Sequence, residues 1–122
     1  MPRQTIAAST PAGPYPATLP LTANSADVTM TAADVANKSQ AAYGTASALL
    51  VLVQNTHASA AGDVTIESSP DGLNREGDIN DYVLQAGDIA AFYLPRNGWR
   101  QSDGNLYFDG SDATIKFGII KL

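Results

Sequence analysis

The sequence contains no cysteine and only one histidine, His57. Disulfide bonds and thiolate metal sites are therefore excluded, and a zinc site would need carboxylates for most of its ligands, which is unusual. A Ser–His–Asp triad would depend on His57, yet no serine lies in the Gly-x-Ser-x-Gly pattern that exposes a nucleophile. We therefore expect no catalytic residue, no metal and no cofactor, and we interpret His57 as an ordinary loop residue.

The sequence also has few basic residues and no long apolar run. Seven Lys and Arg residues are scattered among twelve Asp and Glu residues, which gives a net charge of −5. A nucleic-acid binder needs clustered basic residues to displace phosphate counterions, so we expect neither nucleic acid nor an anionic membrane as a partner. No run approaches the roughly 20 apolar residues that cross a bilayer. Residues 1–4 lead into no apolar signal segment, so we expect synthesis and retention in the cytosol unless an assembly carries the protein out.

Proline divides the chain into two regions. Residues 1–24 hold five of the seven prolines, and proline fits neither a helix interior nor a central strand. This composition predicts an extended Pro-rich N-terminal arm over 1–24 and one β domain over 25–122, since 122 residues suit a single domain. Such an arm either frays or lies on its own domain or on a neighbouring subunit.

Beyond residue 25 the hydrophobic pattern is that of β-strands. Strands are predicted at Val28–Met30, Ala48–Gln54, Asp63–Glu67, Tyr82–Gln85, Ile89–Leu94, Trp99–Ser102, Leu106–Phe108 and Thr114–Leu122. The uninterrupted apolar run of Ala48–Gln54 predicts a strand that is buried on both faces. A short helix is possible at Thr31–Asn37, where a threonine cap precedes an aspartate by three residues. About seven to nine short strands, with turns about every ten residues, indicate an all-β antiparallel sandwich or barrel.

Two further features each leave two interpretations open. The stretch Asp71–Asp81 is rich in oxygen ligands for calcium, but Leu73 and Arg75 stand where an EF-hand loop requires acids. We favour a polar loop with Asx turns over a calcium site. Trp99, the one tryptophan, is either a core residue near an edge or an exposed binding platform flanked by arginines.

Several stretches of the C-terminal two-thirds, over roughly residues 48–122, carry a family resemblance. They are Leu50–Thr56, Asp63–Ser69, Asn74–Ile79, Leu84–Phe92, Gly98–Tyr107 and Ile115–Ile120, and the most distinctive block is Trp99-Arg-Gln-Ser-Asp-Gly104. In these stretches the chain resembles a family of small tailed-bacteriophage head proteins, which decorate or cement the capsid.

The resemblance implies a jelly-roll-like β-sandwich without enzymatic activity. It also implies binding to the outside of a capsid, commonly as a homotrimer, with the major capsid protein and copies of itself as partners. The protein would then reside on the virion exterior, and in the host cytoplasm before assembly. We expect the contact residues to be Pro11, Pro14, Tyr15, Pro16 and Leu19 of the arm, together with Trp99 and Arg100.

Two other functions remain open on the residues alone. One is a carbohydrate- or receptor-binding β-sandwich module, in which Trp99 would stack on the ligand. The other is a tail or neck component of a virion, for which the same fold would serve.

Overall fold

The computed structural model describes residues 2–11 and 28–122, and β-strands dominate this part of the chain. The strands are β1 (Gln4–Thr5), β2 (Ala8–Ser9), β3 (Thr31–Ala32), β4 (Ser39–Ala42), β5 (Ala48–Asn55), β6 (Gly62–Glu67), β7 (Ile79–Leu84), β8 (Ile89–Pro95), β9 (Asn105–Gly110) and β10 (Ile115–Lys121). One short helix, α1 (Arg96–Trp99), follows β8. The all-β prediction is confirmed.

The strands form two sheets of five strands each. The first sheet has the order β1-β4-β9-β6-β7, and the second has the order β2-β10-β5-β8, with β3 also paired to β10. Every pair is antiparallel except β1–β4 and β2–β10, which are parallel, so both sheets are mixed rather than purely antiparallel. The count exceeds the predicted seven to nine because β1, β2 and β3 have only two residues each, too few to produce a hydrophobic period.

The core lies between the sheets and is filled by alternate side chains. In β10, Ile115, Phe117 and Ile119 are fully buried on one face, as the sequence predicts. Phe117 meets Phe108 of β9 with ring centroids 4.6 Å apart in an edge-to-face arrangement, which joins the two sheets. The prediction that Ala48–Gln54 is buried on both faces is wrong. Its burial alternates, because within the described residues the first sheet covers only one face of β5.

The remaining local predictions fail where tertiary contacts override propensity. Residues 31–37 form no helix, because β3 pairs with β10 and the Asp34 carboxylate accepts hydrogen bonds from the backbone and side chain of Asn37. These bonds lower the pKa of Asp34. Val28–Met30 is not a strand, and the predicted strand from Trp99 is replaced by α1 and an irregular segment.

Residues 4–9 lie on the same domain and reach both sheets. The N–H of Gln4 donates to Lys38 O at 2.9 Å, and the N–H of Ile6 donates to Gln40 O at 2.9 Å, which places β1 beside β4. Ile6 is buried, and the chain then crosses to the second sheet, where Ala8 pairs with Ile119. The described part of the predicted arm therefore forms edge strands.

Asn55 fixes the opposite side of the sandwich, where the chain passes from β7 to β8. Its side chain is fully buried, and Nδ2 donates to Leu84 O and to Ala60 O at 3.0 Å each. Its backbone bonds to the β7–β8 turn, donating to Asp88 O and accepting from Gly87 N–H. One buried amide thus holds three chain segments at the place where the sheets are linked.

We predict that Asn55→Ala lowers the free energy of unfolding by about 2–3 kcal/mol, because two carbonyl oxygens at this corner lose their donor. Chemical denaturation monitored by circular dichroism measures the change. Gln54→Ala, on the same strand but on its outer face, is the matched control and should change stability by less than about 0.5 kcal/mol. Equal effects of the two substitutions would contradict the structural role of Asn55.

Tyr43 generates a prediction at alkaline pH. Its hydroxyl is buried and donates to Leu94 O at 3.0 Å, and burial raises its pKa well above the usual value for tyrosine. The folded state therefore favours the neutral phenol. Its contribution to stability is complete below about pH 10 and declines as the pH rises above that value, where the unfolded chain loses the proton.

We expect urea midpoints measured between about pH 8 and pH 11 to fall at the alkaline end. Tyr43→Phe should flatten this decline while lowering stability at neutral pH, since the hydrogen bond to Leu94 is lost. Tyr82→Phe, at an exposed position, should leave the profile unchanged. A Tyr43→Phe profile as steep as that of the parent protein would show that another group causes the decline.

Candidate interaction surface

The outer face of the second sheet carries apolar side chains from three adjacent strands. Leu50 of β5 lies between Tyr93 of β8 and Ile120 of β10. In the next row, Leu52 lies beside Ala91 of β8. Because side chains two residues apart share a face, these rows form a continuous strip. We call it the apolar face, and it consists of Leu50, Leu52, Ile89, Ala91, Tyr93 and Ile120.

Two large side chains of the apolar face are strongly exposed. Ile89 and Tyr93 of β8 are each 64% exposed, and Tyr82 of β7 is 46% exposed. The ring of Tyr82 meets that of half-buried Phe92 edge-to-face at 5.2 Å, so Tyr82 lies against the core-facing side of β8. Contiguous apolar exposure of this kind marks interaction surfaces in soluble proteins, whereas scattered exposure does not.

One margin of the apolar face is covered by residues 28–30. A Cβ atom placed on Gly118 of β10 would lie 2.6 Å from Met30 Sδ and 2.7 Å from Val28 Cγ1. Glycine at this position therefore allows the segment before β3 to pack directly on the β10 backbone. Among residues 2–11 and 28–122, the part of the apolar face that this segment leaves open is formed by β5 and β8.

The outer face of the first sheet has the opposite character. The Arg3 guanidinium pairs with Glu67 at 2.7 Å and with Asp109 at 2.9 Å, and it lies over the Tyr107 ring at 4.1 Å from the centroid. The Tyr107 hydroxyl donates to Asp103 at 2.5 Å, which lowers the pKa of Asp103 and raises that of Tyr107. These groups satisfy one another, so this face is a paired polar surface rather than a set of free charges.

Of the residues expected to make contacts, the structure describes Pro11, Trp99 and Arg100, and these three lie outside the apolar face. Pro11 is exposed and lines a cleft of about 460 Å³ together with Thr10, Thr45, Ala46, Lys121 and Leu122. Arg100 is exposed, with Nη2 lying 3.6 Å from a Cβ built on Gly104. Pro14, Tyr15, Pro16 and Leu19 lie outside the described residues. The six residues of the apolar face were not among the expected contact residues. The apolar run Ala48–Gln54 is the sequence feature that could have indicated this face.

Trp99 is partly buried, and it packs against the core from α1. Of its two interpretations, this position agrees better with a core residue near an edge than with an exposed platform. The four-residue segment α1 that carries it begins directly after Pro95, and its backbone is non-helical at Asn97 and at Gly98, whose φ of 99° is a conformation that favours glycine. The turn at Gly98 lets the chain bring the indole back to the core.

The 71–81 loop is organised by Asp71. Its Oδ1 accepts from Leu73 N–H at 2.8 Å and from Arg75 N–H at 3.0 Å, and its Oδ2 pairs with the Arg75 guanidinium at 2.8 Å. These bonds lower the pKa of Asp71. Its oxygens are thus engaged by its own loop, and within the described residues no group of three or more His, Asp or Glu side chains is arranged to hold a metal ion.

His57 likewise serves its own loop. Its Nδ1 accepts hydrogen bonds from the N–H groups of Ser59, at 3.0 Å, and Ala60, at 2.9 Å. The imidazole therefore terminates the turn that follows β5, and Nδ1 carries no proton in this arrangement.

Comparison of the chain with protein-family models, curated proteins and solved structures gave no significant match. Across residues 2–11 and 28–122, no helix has the length and apolar character needed to span a bilayer. The geometry of the apolar face and the residues that carry the family resemblance are therefore the basis for assigning a function.

Trp99→Ala should lower the free energy of unfolding by about 1–3 kcal/mol, because the indole contributes to the core rather than standing in solvent. Trp99→Phe should retain most of that stability. The control is Leu73→Ala, at a loop position that is 74% exposed, where we expect a change below about 0.5 kcal/mol. A Trp99→Ala protein as stable as the control would restore the interpretation of Trp99 as an exposed platform.

Proposed function

We propose that this protein is a viral structural protein that binds the outside of a tailed-phage capsid and stabilises the shell. The observation that carries the proposal is the apolar face. A side chain such as Tyr93, 64% exposed within a continuous apolar strip, suits a protein that works against another protein surface.

The family resemblance supports the same proposal from the sequence. Two of the stretches that carry it, Leu50–Thr56 and Ile115–Ile120, coincide largely with β5 and β10, and a third, Leu84–Phe92, overlaps the first four residues of β8. These are the strands that form the apolar face. The resemblance and the exposed surface therefore concern the same part of the domain.

The stabilising effect would come from binding the assembled shell in preference to its separated subunits. Each occupied site then adds RT ln(1 + [L]/Kd) to the stability of the shell, so at a hundredfold excess over Kd it adds about 2.7 kcal/mol. Many copies acting on one lattice multiply this term. The protein needs no reactive group for this role, only a complementary surface.

Two finer features belong to the proposal. The sandwich is jelly-roll-like, and residues of the N-terminal arm, including Pro11, Pro14, Tyr15, Pro16 and Leu19, contact the capsid or a neighbouring copy. Binding to the shell requires no particular oligomer, so the trimer that the resemblance implies is a separate proposal.

The test is binding of the purified chain to capsids of its phage that lack it. We expect co-sedimentation of many copies per particle and a higher temperature of capsid disruption. Leu52→Lys places a charge in the apolar face and should weaken binding at least about tenfold. Leu73→Lys adds the same charge on an exposed loop and should bind as the parent chain does.

Equal binding by the two lysine variants would show that the apolar face is not part of the interface with the capsid. Absence of binding by the parent chain would reject the proposal itself. Specific binding on a glycan array in that case would favour a carbohydrate- or receptor-binding module. A single ring of copies at the tail or neck of a virion would identify a tail or neck component instead.

A further inference from the structure

Most of the sheet edges in this domain are protected against pairing with another chain. On one side of the sandwich the outermost strands, β1, β2 and β3, have only two residues each. On the other side, the first sheet ends in β7, whose pairing with β6 shifts register between Val64 and Ile66. Asp81 of β7 is charged, exposed and held at φ 51°. Short edges, bulges and charges are the usual devices that prevent edge-to-edge association.

The edge strand of the second sheet, β8, has none of these devices. It contains seven residues, Ile-Ala-Ala-Phe-Tyr-Leu-Pro, with neither a charged residue nor a glycine. It pairs with β5 in an unbroken register from Ala48↔Pro95 to Gln54↔Ile89. No described element pairs with its other side. A long, regular, uncharged edge of this kind is a template for a further strand.

The hydrogen bonds at the two ends of β8 show which of its backbone groups face the open edge. Asn55 N–H donates to Asp88 O, and Arg96 N–H donates to Ser47 O. In an antiparallel pair, hydrogen-bonded positions alternate. The even-numbered residues of β8 are therefore bonded to β5. The odd-numbered residues Ile89, Ala91 and Tyr93 direct N–H and C=O outward, and they also carry the exposed side chains.

We propose that β8 of one copy pairs antiparallel with β8 of a second copy, about a twofold axis that passes beside Phe92. In this register Ala91 of each copy exchanges two backbone hydrogen bonds with Tyr93 of the other. Ile89 N–H of each copy donates to Pro95 O of the other, and the missing N–H of Pro95 ends the ladder. The strand is its own complement, as a twofold interface requires.

Charge selects this register among the possible ones. Asp88 stands four residues before Phe92, and Arg96 stands four residues after it. An axis at Phe92 therefore places Asp88 of each copy opposite Arg96 of the other, at both ends of the shared ladder. Both residues are exposed. Asp88 Oδ2 accepts from Gln85 N–H at 3.1 Å and Arg96 Nη2 donates to Gly44 O at 3.2 Å, which leaves Asp88 Oδ1 and the other guanidinium N–H groups for a second copy. Opposite charges directly across two strands stabilise the pairing, and a shifted register loses this match.

The pairing would join the second sheets of two copies into one continuous sheet. The apolar faces would then lie side by side, and the exposed ring of Tyr82 beside Phe92 would lie close to the new interface. This inference does not rest on capsid binding. It predicts a dimer, whereas the family resemblance implies a trimer, so the size of the oligomer separates the two.

The first test is the oligomeric state of the full chain, measured by sedimentation velocity and light scattering over a range of concentrations. We expect a monomer–dimer equilibrium. Amide exchange should slow with concentration at Ala91 and Tyr93, whose N–H groups face the edge, and should stay constant at Ala90 and Phe92, which are already bonded to β5. A monomer at every concentration, or a trimer in which Ala91 and Tyr93 exchange rapidly, would overturn the proposal.

The second test disrupts the edge with a matched control. Ala91→Lys introduces a charge at the centre of the proposed ladder and should raise the dimer dissociation constant at least about tenfold. Val83→Lys introduces the same charge on the exposed face of neighbouring β7 and should leave the constant within about threefold of the parent value. Circular dichroism and thermal unfolding confirm that both variants are folded. Equal weakening by both variants would overturn the proposal.

The third test addresses the register. Asp88→Arg and Arg96→Asp should each weaken the dimer, because each places like charges opposite one another. The double variant restores opposite charges and should recover most of the parent affinity. Single variants that dimerise as the parent does, or a double variant weaker than either single one, would exclude the register about Phe92.

Discussion

A sandwich of two sheets buries only alternate side chains of each strand, and the character of this molecule depends on that constraint. In β5 the inward positions are occupied by Leu49, Val51 and Val53, which belong to the core. The outward positions Leu50 and Leu52 are apolar as well, although the constraint allows them to be polar. This surplus of apolar side chains on the outside distinguishes the second sheet from the first and is the physical basis of the proposed function.

The two outer faces of the sandwich differ in charge and in apolar character. On the first sheet, Arg3 is engaged by Glu67, Asp109 and the Tyr107 ring, so its charge is neutralised within the chain. On the second sheet, few polar groups compete with a partner for contact with Leu52 or Tyr93. A net charge of −5 opposes unspecific self-association through repulsion between like charges.

Much of the fold could be predicted from the sequence because a long strand shows a recognisable hydrophobic pattern along its own residues. The strands that became β5, β6, β8 and β10 could be identified in this way. Two-residue strands such as β1 and β3 are too short to show a hydrophobic pattern, and their pairing is decided by partners far along the chain. The threonine-capped segment at 31–37 shows the same limitation, because pairing with β10 outweighs a weak helical preference. The apolar face was missed because a run of apolar residues looks the same whether a second layer covers it or leaves it open. Only the arrangement of the strands in the two sheets shows whether a second layer covers that face.

The early residues of this chain find their partners very late in sequence. Ala8 pairs with Ile119, and Arg3 contacts Asp109, so these contacts close loops of about a hundred residues. Ile6 cannot be enclosed between the sheets until β10 has left the ribosome. Folding of this domain therefore waits for β10 and has a high contact order, which is typical of slow-folding β proteins. Until it is complete, the nascent polypeptide exposes its most apolar strand, and its yield in the cell would depend on chaperones that shield that strand.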